Sequence, residues 1–238
     1  MKPRLFCTSA ILLVALLSFG QAGQERNATQ APSPNRAERS SPPPGRKTST
    51  PYKGDLSIFE SADRDKKLQI ERVMDILGIH AGGNVADIGA GSGWFTVRAA
   101  KRVGPQGTVY AVDINPEAIK YIDERARKEA IHNVHTILGA EDDPKLPANS
   151  IDSVLMLKTY HEIAEPVRLL ENLRKSLHSE ARIGIIDRSG NGEDHGIQQD
   201  VVEREAAQAG YRLIEKYDFV KPDREDYFLV FQPNPVRP

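Results

Sequence analysis

A glycine-rich turn between two apolar runs limits this chain to few folds. Residues 85–93 read VADIGAGSG, so the first run ends in Asp87 and continues into the turn. Further along, the apolar run VYAV ends in Asp113. A strand–turn–helix–strand unit of this kind holds a nucleoside-bearing ligand at the carboxyl ends of a parallel sheet. The sequence therefore predicts an α/β fold with a ligand site at this turn.

The spacing of the glycines separates two classes of cofactor. Glycine at positions 89 and 91 lets the backbone turn sharply and lets a ligand approach where a Cβ would collide. A dinucleotide site has the pattern Gly-x-Gly-x-x-Gly, whose third glycine allows close packing of the helix. Trp94 has that third place here. An NAD-dependent oxidoreductase is therefore the less favoured alternative.

The pattern from Asp87 to Gly93 is acid-x-Gly-x-Gly-x-Gly, which resembles the first motif of class I S-adenosylmethionine (SAM)-dependent methyltransferases. The resemblance implies SAM as the cofactor and methyl transfer as the activity. It implies that Gly89 and Gly91 pack against the methionine part of SAM, that Asp87 helps to fix its amino group, and that Gly93 is a further cofactor-binding residue. Asp113 is placed to accept hydrogen bonds from two ribose hydroxyls.

The resemblance covers nearly all of residues 59–231. The strings VADIGAGSGWFT, DDPKLP, YHE and GIIDR are similar to those of a group of secreted or periplasmic predicted methyltransferases. The resemblance implies a Rossmann-like, doubly wound α/β fold. Its seven-stranded sheet would be mostly parallel, with an antiparallel strand near one edge. The family's Leu-Lys-Pro-Gly-Gly-Arg stretch is replaced by LHSEAR at 177–182, which we expect to change a loop.

The hydrophobic pattern independently predicts alternating strands and helices. Apolar runs predict strands at 84–88, 108–112, 134–138, 151–157, 183–186, 211–219 and 227–231. Helical spacing predicts helices at 65–77, 93–103, 116–130 and 201–208, with a further one beginning at Pro166. Alternation of this kind indicates a parallel sheet that is covered on both faces.

The acidic turn after the third predicted strand is the candidate adenine site. The resemblance implies an acid there that contacts the adenine amino group, and its usual position is occupied by Ala140. Glu141 or Asp142 would have to substitute, and Asp142 is slightly favoured. The alternative is an acidic surface turn before Pro144.

Tyr160, His161 and Glu162 follow the fourth predicted strand and are the candidate catalytic residues. Methyl transfer is an in-line displacement, so catalysis comes mainly from placing the nucleophile in line with the methyl carbon. His161 is suited to accept a proton near neutral pH, and Glu162 could orient or replace it. The alternative is a capping turn with both side chains in solvent.

A loop rich in glycine and aspartate follows the fifth predicted strand. It contains Asp187, Arg188, Asp194 and His195, and we expect it to cover the site or to contact substrate. Asp187, His195 and His161 could share a metal ion. Because no short His-x-x-x-His pair is present, we predict no metal site.

The amino-terminal part predicts export. Lys2 and Arg4 precede an apolar run at 10–19, which is typical of a signal peptide over residues 1–23, with an uncleaved anchor as the alternative. Residues 24–52 are rich in proline, serine and arginine and predict a disordered linker. Residues 53–238 form the predicted methyltransferase domain. A periplasmic or extracellular location follows.

Charge and cysteine content restrict the partners. Residues 1–52 hold seven basic and two acidic side chains, whereas the whole chain has a net charge of −1, so the domain is acidic. An acidic domain argues against a nucleic-acid substrate, and the basic linker allows peripheral contact with a membrane. Cys7, the only cysteine, lies in the predicted signal peptide. We expect a small-molecule or envelope acceptor, with a non-catalytic nucleoside-binding module as the alternative.

Overall fold

One seven-stranded sheet organises the chain. The computed structural model describes residues 46–48, 52, 54–191 and 193–235. The strands are β1 (Asn84–Ile88), β2 (Thr108–Asp113), β3 (Val134–Leu138), β4 (Ile151–Leu157), β5 (Leu177–Asp187), β6 (Tyr211–Tyr217) and β7 (Tyr227–Pro233). The predicted signal peptide, and all of the predicted linker except residues 46–48 and 52, lie outside the described residues.

The strand order is β3-β2-β1-β4-β5-β7-β6. Strands β1 to β5 pair in parallel, whereas β7 pairs antiparallel with both β5 and β6. The predicted fold is therefore confirmed, including the antiparallel strand next to one edge. The order reverses between β1 and β4, and in open α/β sheets ligands bind at the carboxyl ends of the strands at such a point.

Six α-helices flank the sheet in the described residues. They are α1 (Arg64–Leu68), α2 (Ile70–Ile76), α3 (Trp94–Val103), α4 (Pro116–Lys128), α5 (Pro166–Arg174) and α6 (Gln199–Gln208). Three short 3₁₀ turns cover Leu56–Phe59, Tyr160–Glu162 and Lys221–Asp223. Among the residues described, no helix combines the length and apolar character that crossing a bilayer requires.

The sheet is buried on both faces, as its continuous apolar strands predict. In β4, Val154 and Met156 pack in one apolar cluster with α5 and α6, through residues such as Leu170. Leu155, between them in sequence, packs in a second cluster with α2 and α3, through residues such as Phe95. The two layers fix the orientation of each strand and hence of the loop that follows it.

Two elements differ from the sequence prediction. Strand β5 begins at Leu177 rather than at residue 183, because the stretch that replaces the family's Pro-Gly-Gly turn has no residue that interrupts a ladder. A shift of register against β4, between Ile151 and Ser153, accommodates the extra length. The helix predicted at 65–77 is divided by Gln69, whose backbone is left-handed at φ 52°.

We expect Gly184→Ala to destabilise the fold by about 1–3 kcal/mol, the usual cost of overpacking a core. Gly184 lies in β5, where a Cβ would come within 2.9 Å of the Phe228 ring and 3.0 Å of a Leu77 methyl group. Both of these neighbours are themselves fully buried. Urea unfolding checks this as a lower midpoint with an unchanged slope. An unchanged midpoint would contradict the packing described for this strand.

Candidate active site

A cavity of about 670 Å³ opens at the carboxyl ends of β1, β2, β4 and β5. Small-molecule sites usually have volumes of about 300–1,000 Å³, so this cavity is large enough for a nucleoside-sized ligand and a second small molecule. Its walls include the glycine turn after β1, the end of β2, the Lys158–Glu162 segment and the start of the loop after β5. These are the strand ends that the sequence pattern indicated.

The turn after β1 is tied to β2. The backbone N–H groups of Gly89 and Ala90 both donate to the carbonyl oxygen of Val112, at 2.9 and 3.1 Å. A Cβ on Gly89 would come within 2.1 Å of the Thr159 hydroxyl, and its φ of 72° is left-handed, so this position requires glycine. A Cβ on Gly91 would meet no protein atom, which leaves the backbone open toward the cavity.

Asp113 connects the turn to the end of β2. One carboxylate oxygen accepts from the backbone N–H of Gly91 at 2.8 Å, and the other from that of Asn115 at 2.9 Å. Each oxygen retains a second lone pair for a ligand. Burial raises the pKa of Asp113. Asp113 therefore shapes the turn and also offers acceptor atoms to the cavity that it lines.

Asp87 is buried at the base of the cavity. The Thr96 hydroxyl donates to one of its oxygens at 2.6 Å. Burial, together with the nearby Asp113 charge, raises the pKa of Asp87 to about 7 against the opposing effect of the Thr96 hydrogen bond. A buried carboxylate of this kind is stabilised by a positively charged ligand group, because the pair replaces lost hydration.

Glu141 and Asp142, the two candidate adenine contacts, have different environments. Glu141 lines the cavity together with Ala140. Asp142 is absent from the cavity wall, and its carboxylate pairs with the Arg168 guanidinium at 3.0 Å. The geometry thus favours Glu141 rather than Asp142, which the sequence slightly preferred.

Two polar atoms at the glycine turn support a ligand site. The Ser92 hydroxyl and the Trp94 indole nitrogen are buried and have no hydrogen-bond partner among the described residues, and both residues line the cavity. The Arg64 and Arg98 guanidinium groups lie over the Trp94 ring, at 4.5 and 4.0 Å from its centroid. Unpaired buried donors next to an open glycine backbone fit a polar ligand such as SAM.

His161 and Asp187 meet where the segments after β4 and β5 line the cavity. The His161 ring nitrogen Nδ1 lies 2.9 and 3.0 Å from the two Asp187 oxygens, and its backbone N–H donates to the same carboxylate at 3.1 Å. Both side chains are buried. Because β4 and β5 are neighbours, their loops bring together residues 26 positions apart. The ring is thereby held with Nε2 available for other contacts.

Glu162 lies between two histidines. One of its oxygens is 3.8 Å from His161 Nε2 and 3.8 Å from His195 Nδ1. Burial raises the pKa of Glu162. From the sequence, His161, His195 and Asp187 were possible metal ligands, but no metal site was predicted. The structure instead groups both histidines with Glu162 and places Asp187 behind His161.

Tyr160 differs from its predicted role. Its side chain is fully buried in the core and is absent from the cavity wall. Its hydroxyl donates to Glu205 at 2.9 Å, and the Arg46 guanidinium lies 4.9 Å from the centroid of its ring. Burial raises the pKa of Tyr160 well above its usual range. Tyr160 therefore supports the loop that carries His161 rather than facing a ligand.

The sequence prediction missed one wall of the cavity. Thr48, Tyr52 and the 3₁₀ turn Leu56–Phe59 line it, although residues up to 52 were predicted to be a free linker. Arg46 contributes to this arrangement, because its guanidinium contacts both oxygens of Glu205 at 2.7 and 3.0 Å. The apolar residues Leu56, Ile58 and Phe59 were the feature of the sequence that could have predicted packing of this segment.

Comparison with known proteins identifies the family. A sequence model described as "Methyltransferase domain" matches residues 79–216, which include the glycine turn, Asp113 and His161. The chain belongs to the methyltransferase domain family. The matched region is more than half of the chain and ends at the penultimate residue of β6.

Similar proteins support the same family assignment. A SAM-dependent methyltransferase from Aquifex aeolicus has a similar structure, with a TM-score of 0.67 and 26% identity over 75% of this chain and 98% of that one. Nocamycin O-methyltransferase of Saccharothrix syringae is 29% identical over 48% of this chain and 41% of its own length. Demethylmenaquinone methyltransferase of Listeria welshimeri is 24% identical over 50% of each chain. This chain thus spans about half the length of the curated relatives it matches.

We expect Asp87→Asn to stabilise the ligand-free protein, and more so at higher pH. A carboxyl whose pKa rises from about 3.9 unfolded to about 7 folded loses its stabilising contribution as pH increases through that range. The advantage of the variant over wild type should therefore grow by about 2–3 kcal/mol between pH 5 and 8. Urea unfolding at both values measures this, and a difference that does not change with pH would show that Asp87 is not buried as described.

Proposed function

We propose that the protein transfers a methyl group from SAM to a small-molecule or envelope acceptor. The observation that carries the proposal is that one cavity contains both the glycine turn with Asp87 and Asp113 and the His161–Asp187 pair. A methyltransferase needs a donor side and an acceptor side within one enclosed space. Family membership and the class I methyltransferase fold agree with this activity.

SAM is the cofactor that the family and the fold indicate. In our assignment, the ionised Asp87 pairs with the ligand's ammonium group, and the oxygens of Asp113 accept hydrogen bonds from the ribose hydroxyls. The open backbone at Gly91 allows close approach, and Glu141 accepts from the adenine amino group. Trp94 stands where a dinucleotide site has its third glycine, which argues against a dinucleotide as the ligand.

The acceptor side works mainly by positioning. When bound, SAM supplies an electrophilic methyl group, whose bond to sulfur breaks as the bond to the acceptor forms. His161 and Glu162 orient the acceptor atom, and Asp187 fixes the His161 ring so that little motion is needed during transfer. If the acceptor carries a proton that must leave, Nε2 of His161 is placed to take it. Asp187 then stabilises the charged ring.

Binding of the demethylated product, S-adenosylhomocysteine, tests the donor side. We expect Asp113→Asn and Glu141→Gln each to weaken binding by at least about tenfold, because hydrogen bonds to charged groups contribute about 1.5–3 kcal/mol. Asp142→Asn is the matched control and should leave the affinity unchanged. Calorimetric titration measures all three, with NADH as a second ligand. Stronger binding of NADH than of S-adenosylhomocysteine would reverse the choice of cofactor.

Transfer of labelled methyl groups tests the acceptor side. Wild-type protein is incubated with SAM that carries a radioactive methyl group, together with small-molecule and envelope extracts. We expect His161→Ala to lower transfer by about 10²–10⁴-fold, the usual effect of losing a general base, while product affinity stays unchanged. If the wild type binds SAM but labels no extract, the non-catalytic binding module becomes the better explanation.

A further inference from the structure

Three side chains on the acceptor side have the composition of a metal site. The ligand atoms of His161, Glu162 and His195 all lie within 4.8 Å of one another. Two donors on one tetrahedral zinc ion are about 3.4 Å apart, given bond lengths of about 2.0–2.2 Å. The two separations of 3.8 Å, from Glu162 to each histidine, are therefore slightly wider than coordination requires. A small inward movement of the side chains would close the site.

The orientation of His161 is an independent observation that points to a ligand at Nε2. Metal-binding histidines almost always direct their other ring nitrogen at a carboxylate or carbonyl, which fixes the tautomer and increases the basicity of the ligating nitrogen. Asp187, which is fully buried, has this relation to Nδ1 of His161. The Nε2 lone pair is thereby directed to the side on which Glu162 lies.

The loop that carries His195 is held in place even though the His195 side chain is exposed. The Arg188 guanidinium donates to the carbonyl oxygen of His195 at 2.7 Å, and the N–H of Ile197 donates to the Arg188 carbonyl at 2.7 Å. Asp194 accepts from the backbone N–H of Asn191 at 2.9 Å. These bonds connect the loop to the end of β5, so His195 returns to the neighbourhood of Glu162.

We propose that His161, Glu162 and His195 bind one divalent cation of the zinc type. Two neutral imidazoles and one carboxylate form a common catalytic zinc set, which leaves a fourth position open. All three residues line the cavity, and the open position would face the space available to the acceptor. Asp187 would support the site from behind by holding His161.

The cation would define the class of acceptor, and this consequence rests on the proposed function. A hydroxyl or thiol that occupies the open position loses its proton to solvent more readily, because the bound cation stabilises the anion. The anion then forms the new bond to the methyl carbon, while the electron pair of the broken bond stays on sulfur. In the loaded protein, Nε2 of His161 is a ligand, so the cation replaces it as the group that activates the acceptor.

Zinc titration of the metal-free, full-length protein tests the site without any methyl transfer. We expect one high-affinity zinc ion per chain, and binding at least about tenfold weaker in His195→Ala and in Glu162→Gln, since loss of a supporting group alone costs about 10–100-fold. His195 is exposed and already has a Cβ at a left-handed backbone position, so alanine there adds no new strain. Cobalt substitution gives a second readout, because a tetrahedral site of this kind gives visible absorption bands.

His178→Ala is the matched control. His178 also pairs with an aspartate, Asp152, at 2.8 Å, but it is not in the three-residue cluster. Zinc binding that is as strong in His195→Ala and Glu162→Gln as in the His178 variant would overturn the proposal, as would no binding to the wild type. The affinity for S-adenosylhomocysteine, measured on the same samples, separates the two proposals. Loss of zinc binding leaves S-adenosylhomocysteine binding measurable, and the reverse also holds.

Discussion

The hydrogen bonds between the end of β2 and the glycine turn determine the geometry of the site. Val112 accepts from two backbone N–H groups of the turn, and Asp113 accepts from a third at Gly91. The turn can also lie close to the segment after β4, because Gly89 has no Cβ that would collide with Thr159. The start of α3, the position of Asp87 and the opening of the cavity all depend on this contact.

Buried and half-buried carboxylates are concentrated at this edge of the sheet. Burial raises the pKa of Asp87, Asp113 and Glu162, and Glu225 on the same wall is shifted in the same direction. Glu225 is balanced by the Lys158 ammonium group at 2.5 Å. Asp87 and Glu162 have no such salt bridge to a lysine or arginine among the residues described. Buried carboxylates without a balancing charge lower the stability of the fold, which is common at functional sites.

The sequence predicted the features that depend on local periodicity. Strand runs and glycine spacing fixed the order of elements and the position of the turn, because apolar patterning reports burial directly. It could not predict side-chain direction in the Tyr160–Glu162 turn. Consecutive residues of a 3₁₀ turn point in different directions, so all three could not enter one cavity. Tyr160 is the residue of the three that points into the core instead of the cavity.

Contacts between segments that are far apart in the sequence could not be predicted either. His161 meets Asp187 because β4 and β5 are neighbours in the sheet. The segment before α1 lines the cavity because of packing that no local sequence pattern encodes. The extension of β5 to Leu177 likewise depends on pairing with β4. These features became visible only once the strand order was known.

The position of Asp87 has a thermodynamic consequence for any ligand with an ammonium group. With a pKa of about 7, this carboxyl carries a proton in a large fraction of ligand-free molecules under neutral conditions. The proton and the ammonium group compete for the same two oxygens. If a ligand ammonium group pairs with Asp87, as proposed above, its binding exchanges one cation for another. Part of the heat released on binding then belongs to the buffer that takes up the displaced proton.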